Sequence, residues 1–271
     1  MINADGSGLR RLTRRAVSDW EPAWSPDGQK IAWTSWGHGT GTDVFVMNAD
    51  GSDQQNLTSK PGDQGGPRWS PDGHAILFRA VPPGQPRSAS GWPYGDVYVI
   101  NADGSGQRNL THTPESGEGD PAWSPDGQHI AFSRLVAGPP WEVRIVVMNA
   151  DGSGKHAVTQ KLHKIGDALW TGTTIGWTPD GRRIAFDDDD AIYVVNADGS
   201  GLRRLAQNAG FEDWSPDGRK LIFVRLRHPK CRPARDTPPP PSCQAAYLWV
   251  MNADGSGQRK LTRGGSATWA R

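Results

Sequence analysis

Two short strings recur along the chain and constrain its fold more than any other feature. Asn-Ala-Asp-Gly starts at Asn3, Asn48, Asn101, Asn149, Asn196 and Asn252, at spacings of 45 to 56 residues. Trp-Ser-Pro-Asp-Gly starts at Trp24, Trp69, Trp123 and Trp214, and Trp177 opens the variant Trp-Thr-Pro-Asp-Gly. Trp269 stands where a sixth copy would begin. Repeats of this length, built from short apolar runs and turn residues, are the sequence mark of propeller blades.

One unit reads as four strands. The first carries the tryptophan, as in Glu21-Pro22-Ala23-Trp24, and the Ser25-Pro26-Asp27-Gly28 turn follows. Serine caps such a turn, proline presets φ at its second position, aspartate tolerates the third and glycine takes the left-handed fourth. The second strand is Lys30-Ile31-Ala32-Trp33 and the third is Asp43 to Met47. The Asn48-Ala49-Asp50-Gly51 turn then leads to a fourth strand ending Asn56-Leu57-Thr58. Fourth strands are often basic, as in Leu9-Arg10-Arg11-Leu12, Gln107-Arg108-Asn109-Leu110, Leu202-Arg203-Arg204-Leu205 and Gln258-Arg259-Lys260-Leu261. Long charged side chains on an outer strand keep it from pairing with another chain. Spread around a rim, these residues would not converge on a phosphate, which favours edge protection over a phosphate-binding stripe.

The units resemble those of the TolB-like propeller family, whose repeats carry the same Trp-Ser-Pro-Asp-Gly and Asn/Asp-Ala-Asp-Gly turns. The resemblance covers nearly the whole chain. It implies an all-β fold: a β-propeller with five complete four-stranded blades and a partial sixth formed by the two termini, in one domain over residues 1–271. The sixth would take an outer strand from Leu9 to Thr13 and an inner strand from Ala267 to Ala270. Open edges in so incomplete a blade invite a homo-oligomer, through pairing with a second copy.

Composition agrees with many short strands joined by tight turns, since 34 glycines and 22 prolines punctuate 271 residues. The formal net charge of +1 supplies no field for gathering nucleic acid. No stretch approaches the apolar length of a membrane-spanning helix. The first residues, Met-Ile-Asn-Ala-Asp-Gly, are not a basic and then apolar signal peptide. The two cysteines, Cys231 and Cys243, share a proline-rich insertion from Lys230 to Gln244. As a disulfide they would close a short loop worth roughly 3 kcal/mol and indicate an oxidising compartment. Two free thiols are the other reading.

In such a unit both conserved turns lie at one end of the strands. The connections of variable length lie at the other, for example Ser35 to Thr42, Ala80 to Gly95, Arg134 to Glu142 and Arg225 to Ala246. A constant scaffold with variable loops at one end is a common way to build a binding surface. Five tryptophans that the repeat does not require fall there: Trp20, Trp36, Trp92, Trp141 and Trp170. A rigid apolar plane with one donor suits stacking on sugars or peptides, and it equally pins long loops. Acidic residues precede the first strands: Asp19, Glu21, Asp63, Glu118, Asp120, Asp167, Glu212 and Asp213. Such carboxylates cap strand ends, or hold Ca2+ or another divalent cation. Glu21, Asp120 and Asp167, with His112 and His163 on the same loops, form the candidate metal set, although no His-x-x-x-His spacing supports it.

Two functions follow. The first is a non-catalytic propeller that binds a protein, peptide or glycan through the extra tryptophans, with no cofactor required. The resemblance places such scaffolds in the periplasm or outside the cell. The second is a metal-dependent hydrolase for a lactone, phosphoester or glycoside, with a central cation at the channel mouth activating water. No nucleophile elbow of the Gly-x-Ser-x-Gly kind occurs.

Overall fold

A computed structural model describes residues 1, 7–13, 18–36, 41–85, 95–113, 116–136, 141–160, 163–165, 174–188, 191–226 and 246–263. The chain divides into two compact units, Met1–Pro121 and Ala122–Arg271.

The first unit holds two complete four-stranded antiparallel sheets. One runs β1 (Asp19–Trp24), β2 (Lys30–Trp36), β3 (Thr42–Asn48), β4 (Gln55–Asn56) in spatial order. The other runs β5 (Asp63–Trp69), β6 (Ala75–Val81), β7 (Asp96–Asn101), β8 (Arg108–Asn109). Each is a meander, so the strand with the repeat tryptophan lies at one edge and the fourth strand at the other. The third sheet joins β9 (Ser116–Trp123), β10 (His129–Val136), β11 (Trp141–Asn149) and β12 (His156–Ala157). Its β11 also pairs with β13 (His163–Ile165) over Trp141–Val143, on the edge where β12 pairs with Val146 and Val147, so two segments share the fourth-strand position of this blade. The second unit is completed by the sheets β14 (Ile175–Trp177) to β17 (Arg203–Gln207) and β18 (Ala209–Trp214) to β21 (Arg259–Arg263). Between them lie β15 (Arg183–Asp188) and β16 (Ala191–Asn196) in the first, and β19 (Lys220–Leu226) and β20 (Ala246–Asn252) in the second. Five blades are therefore present.

Inner strands are buried on both faces, which is why their sequences do not alternate cleanly. Ala32, Val44 and Val46 on one face of the first blade pack with Ile76, Phe78, Ala80 and Ile100 of the second. The opposite face, with Ile31, Trp33, Phe45 and Met47, packs with Leu12. In the second unit Leu221, Phe223 and Met251 pack with Ala185, Ile192 and Val194 in the same way.

The two repeated turns form as their residues dictate. Ser25 Oγ donates to Asp27 Oδ1 (2.6 Å) and accepts the Lys30 amide (2.9 Å), while Gly28 takes φ 68°. In the second turn the Ser52 amide and hydroxyl both donate to Asp50 Oδ1 (2.9 and 2.6 Å). The Ala49 amide donates to the Gln29 carbonyl (2.8 Å), so the two turns of one blade are tied together.

The repeat tryptophan is a staple between blades. Trp69 Nε1 donates to the Ala23 carbonyl (3.1 Å), Trp177 Nε1 to Ala122 (3.1 Å) and Trp214 Nε1 to Gly176 (3.2 Å). Each acceptor is the residue just before the repeat tryptophan one blade earlier. The basic fourth strands have a use beyond shielding an edge. In β17, Arg203 donates to the Ala253 carbonyl (3.2 Å) in the following blade's turn, and Arg10, outside any strand, donates in the same way to the Asp50 carbonyl.

The partial sixth blade is not confirmed. Residues 7–13 form no strand, so the expected outer strand over Leu9–Thr13 is corrected. They are held instead by local contacts: Gln54 Nε2 donates to the Leu12 carbonyl (3.1 Å), and the Leu12 side chain lies against Gly51. Leu57 meets Gly104 in the same way one blade on, so Leu12 does the packing of a fourth-strand leucine without the strand. The expected inner strand at 267–270 and both cysteines lie outside the described residues.

Candidate functional site

At the loop end of the first unit, three inner strands bend at equivalent positions, three residues before each repeat tryptophan. Glu21, Gly66 and Asp120 there have φ of 53°, 67° and 51°. The pairing slips beside the first two, between Trp20 and Ala23 and between Gly65 and Arg68, as β-bulges. A left-handed residue in a bulge is usually glycine. Glutamate and aspartate there cost about 1 kcal/mol each, a strain that the surrounding contacts must hold.

Those contacts converge. Glu21 Oε2 accepts the Thr34 hydroxyl (2.9 Å) and the Gly66 amide (3.0 Å), which links the bulges of the first two blades. Arg79 Nε donates to the Glu118 carbonyl (3.0 Å), which carries the link to β9. Burial pushes the Arg79 guanidinium below its ordinary value, and the carboxylates of Asp120, Asp63, Glu118 and Glu21 act against that and hold it charged. Arg79 has room because of Gly95, where a β-carbon would stand 2.9 Å from Arg79 Nε and 3.0 Å from the Ala80 carbonyl.

Behind this cluster lies a second polar layer. The Glu118 residue is fully buried. Its carboxylate accepts the hydroxyls of Ser116 (2.9 Å) and Thr113. The Thr113 amide donates to Asp96 Oδ1 (3.0 Å), and its single hydroxyl proton is shared between that oxygen, also at 3.0 Å, and Glu118. Thr111 Oγ and Asn109 Nδ2 complete the Asp96 shell at 2.8 Å each. Burial alone would raise the Asp96 carboxyl, but these donors outweigh it and hold it below the ordinary aspartate value.

Of the sequence-derived candidates, Glu21 and Asp120 meet around Arg79. His112 sits on the exposed turn after β8 with φ 52°, its amide donating to Asn109 Oδ1 (3.1 Å). His163 falls in β13, opposite Val143. Trp20 is a partly buried β1 residue opposite Thr34, Trp36 ends β2 at 48% exposure, and Trp141 begins β11. Trp92, Trp170 and Asp167 lie outside the described residues. Among the described residues, no group of three or more His, Cys, Asp or Glu side chains is placed to hold a metal ion.

Sequence reasoning missed Arg79. Its signal is positional: ten residues after each repeat tryptophan stand Thr34, Arg79, Ser133, Asp187 and Val224. Thr34 and Arg79 both reach the inner strand of the following blade, and a β-carbon on Gly210 in β18 would stand 3.4 Å from Asp187 Oδ2.

Relatives and folds agree with this architecture. The chain is 39% identical to a Protein TolB homolog of Chlorobium chlorochromatii over 135 residues, 49% of this chain and 29% of the relative. It is 30% identical to the Protein TolB homolog of Chlorobium luteolum over 142 residues, with the same coverage. The matches thus span under a third of these curated relatives. Among solved structures, TolB from Acinetobacter baumannii superposes with a TM-score of 0.64 at 16% identity, covering 98% of this chain and 59% of that one. An oligogalacturonate lyase in complex with manganese gives the same TM-score and identity, covering 94% and 69%. At such identity these two show a shared fold alone. The family model for the TolB β-propeller domain matches residues 1–186, and the chain belongs to that family.

Proposed function

We propose that this chain is a non-catalytic binding propeller that takes an extended segment of a partner protein at the loop end of its blades. The observation that carries the reading is Arg79, desolvated among four carboxylates and bracketed by strained bulges at Glu21 and Asp120. Strain and desolvated charge persist where the surroundings over-determine them, and they cluster at functional sites. Four carboxylates against one guanidinium leave a negative excess, which matches a basic side chain on the partner. Exposed Trp36 at the end of β2 adds an apolar plane at the same end of the sheet. A periplasmic setting fits membership of the TolB β-propeller family.

An array of immobilised 15-residue peptides of varied charge tests this, probed with purified chain and with the Glu21→Gln/Asp120→Asn double variant. The reading expects basic peptides to be selected by the chain and lost by the variant, with circular dichroism unchanged. Equal binding of acidic and basic peptides by both proteins would overturn it. Elemental analysis of the protein purified without added metal separates the hydrolase alternative. One equivalent of a divalent cation, lost in the double variant, would favour metal chemistry at these carboxylates.

A further inference from the structure

The staples between blades set Trp24 apart from Trp69, Trp177 and Trp214. Trp69, Trp177 and Trp214 each give the indole N–H to a backbone carbonyl of an inner strand, as described above. The residue offering that carbonyl is small each time: Ala23, Ala122 and Gly176. The neighbouring blade enforces that size at Gly176, where a β-carbon would lie 2.6 Å from the Phe211 ring. With the staple made, Trp177 and Trp214 are 9% and 3% exposed and Trp69 is partly buried.

Trp24 departs from this pattern. It is 50% exposed, and its indole has no hydrogen bond among the described residues. Its blade is otherwise finished on that flank. Leu12 packs with Ile31, Trp33, Phe45 and Met47 and lies against Gly51, and Arg10 reaches the Asp50 carbonyl. The outer half of the flank is thus covered by the chain's own residues 10–12, while the inner half at Trp24 presents an indole face and a donor.

We propose that Trp24 and the flank beside it form a docking slot for an extended segment of a partner polypeptide, laid as an inner strand. The segment has a small residue, alanine or glycine, whose carbonyl accepts the Trp24 indole N–H. Three filled copies of the same slot define that chemistry. Trp24 ends β1 beside the Ser25 turn, whereas Arg79 lies toward the opposite ends of the strands, so this surface is independent of the loop-end site.

The test uses the full chain labelled with 15N and the indole N–H signal of Trp24, identified by its loss in Trp24→Phe. The probe is an acetylated and amidated peptide, Gly-Asp-Pro-Ala-Trp-Ser, the sequence of residues 119–124. The proposal expects the Trp24 indole proton to exchange freely before addition. On titration it should shift downfield and slow in exchange by roughly tenfold at saturation, the order that one net hydrogen bond supports. Trp24→Phe should show no saturable perturbation of neighbouring signals. The same peptide with valine in place of its alanine should bind at least several-fold more weakly. No shift with the native peptide would overturn the proposal. So would an indole proton already protected in the peptide-free protein, which would mean that the chain fills the slot itself.

Discussion

Trp214 and Trp24 occupy the same repeat position and should respond differently to the same change. Trp214→Phe removes the hydrogen bond to the Gly176 carbonyl and part of a ring that is 3% exposed. It leaves that carbonyl short of a donor, and the expected loss is about 2 kcal/mol. Trp24→Phe removes no hydrogen bond and little burial, so its effect should fall within about 0.5 kcal/mol. Urea unfolding of both variants, followed by circular dichroism, checks the pair. Equal losses would show that the indole staple is not what the repeat tryptophan contributes. Gly95→Ala is a third expectation at this scale. The added methyl meets Arg79, Val81 and the Ala80 carbonyl at 2.9 to 3.0 Å, and such overpacking costs about 1–3 kcal/mol. The repeat made the tryptophan and the turn glycines readable from sequence. It could not announce Gly95 or Arg79, because neither belongs to the repeated strings and each has meaning only beside the other.

At the scale of the element, the turns are the most uniform part of the molecule and set its acid response. Asp27, Asp72, Asp126 and Asp217 are each held below the ordinary aspartate value of 3.8, first by the serine hydroxyl two residues earlier and then by a backbone amide. Asp50, Asp103, Asp198 and Asp254 are lowered likewise by the serine two residues later. A carboxyl whose folded value lies below its unfolded value binds its proton less readily in the native state. Its contribution is therefore fully present above pH 3.8 and is lost as the pH falls through the depressed folded values. Many small equal contributions should give a steep loss of stability below about pH 4. Ser70→Ala tests one of them. Ser70 is buried, donates to Asp72 Oδ1 (2.5 Å) and accepts the Ala75 amide (2.9 Å), so its loss should cost about 1 kcal/mol at pH 7. The deficit should shrink as the pH falls through the depressed Asp72 value, where wild type loses the same bond. A deficit independent of pH would mean that the serine acts on the backbone alone. Strands and turns were legible in the sequence because periodicity and turn chemistry are local. The division of the third blade's fourth strand into β12 and β13 was not, because β13 pairs with β11 through a register that no repeated string marks.

At the scale of the whole molecule, the loop-end cluster joins the two blades of the first unit to β9 through one side chain. The acidic half of that cluster could be read from the sequence, since Glu21, Asp63, Glu118 and Asp120 recur shortly before the repeat tryptophans, and the structure places them within the first strands. The cationic centre could not, because Arg79 sits within the apolar run Ala-Ile-Leu-Phe-Arg-Ala-Val of β6 and only the fold brings it to the carboxylates. Its removal should therefore unsettle more than its own strand. In Arg79→Met the Glu118 carbonyl loses its donor and four carboxylates lose their common counter-charge. Breaking a deeply buried pair costs about 3–5 kcal/mol. Arg79 keeps partial exposure, so about 2 kcal/mol is the expectation at pH 7. Hydrogen exchange should show the loosening at the loop ends of β2, β6 and β9 together, with the turn ends unchanged. Protection lost in β6 alone would show that Arg79 packs its own strand and does not tie the blades together.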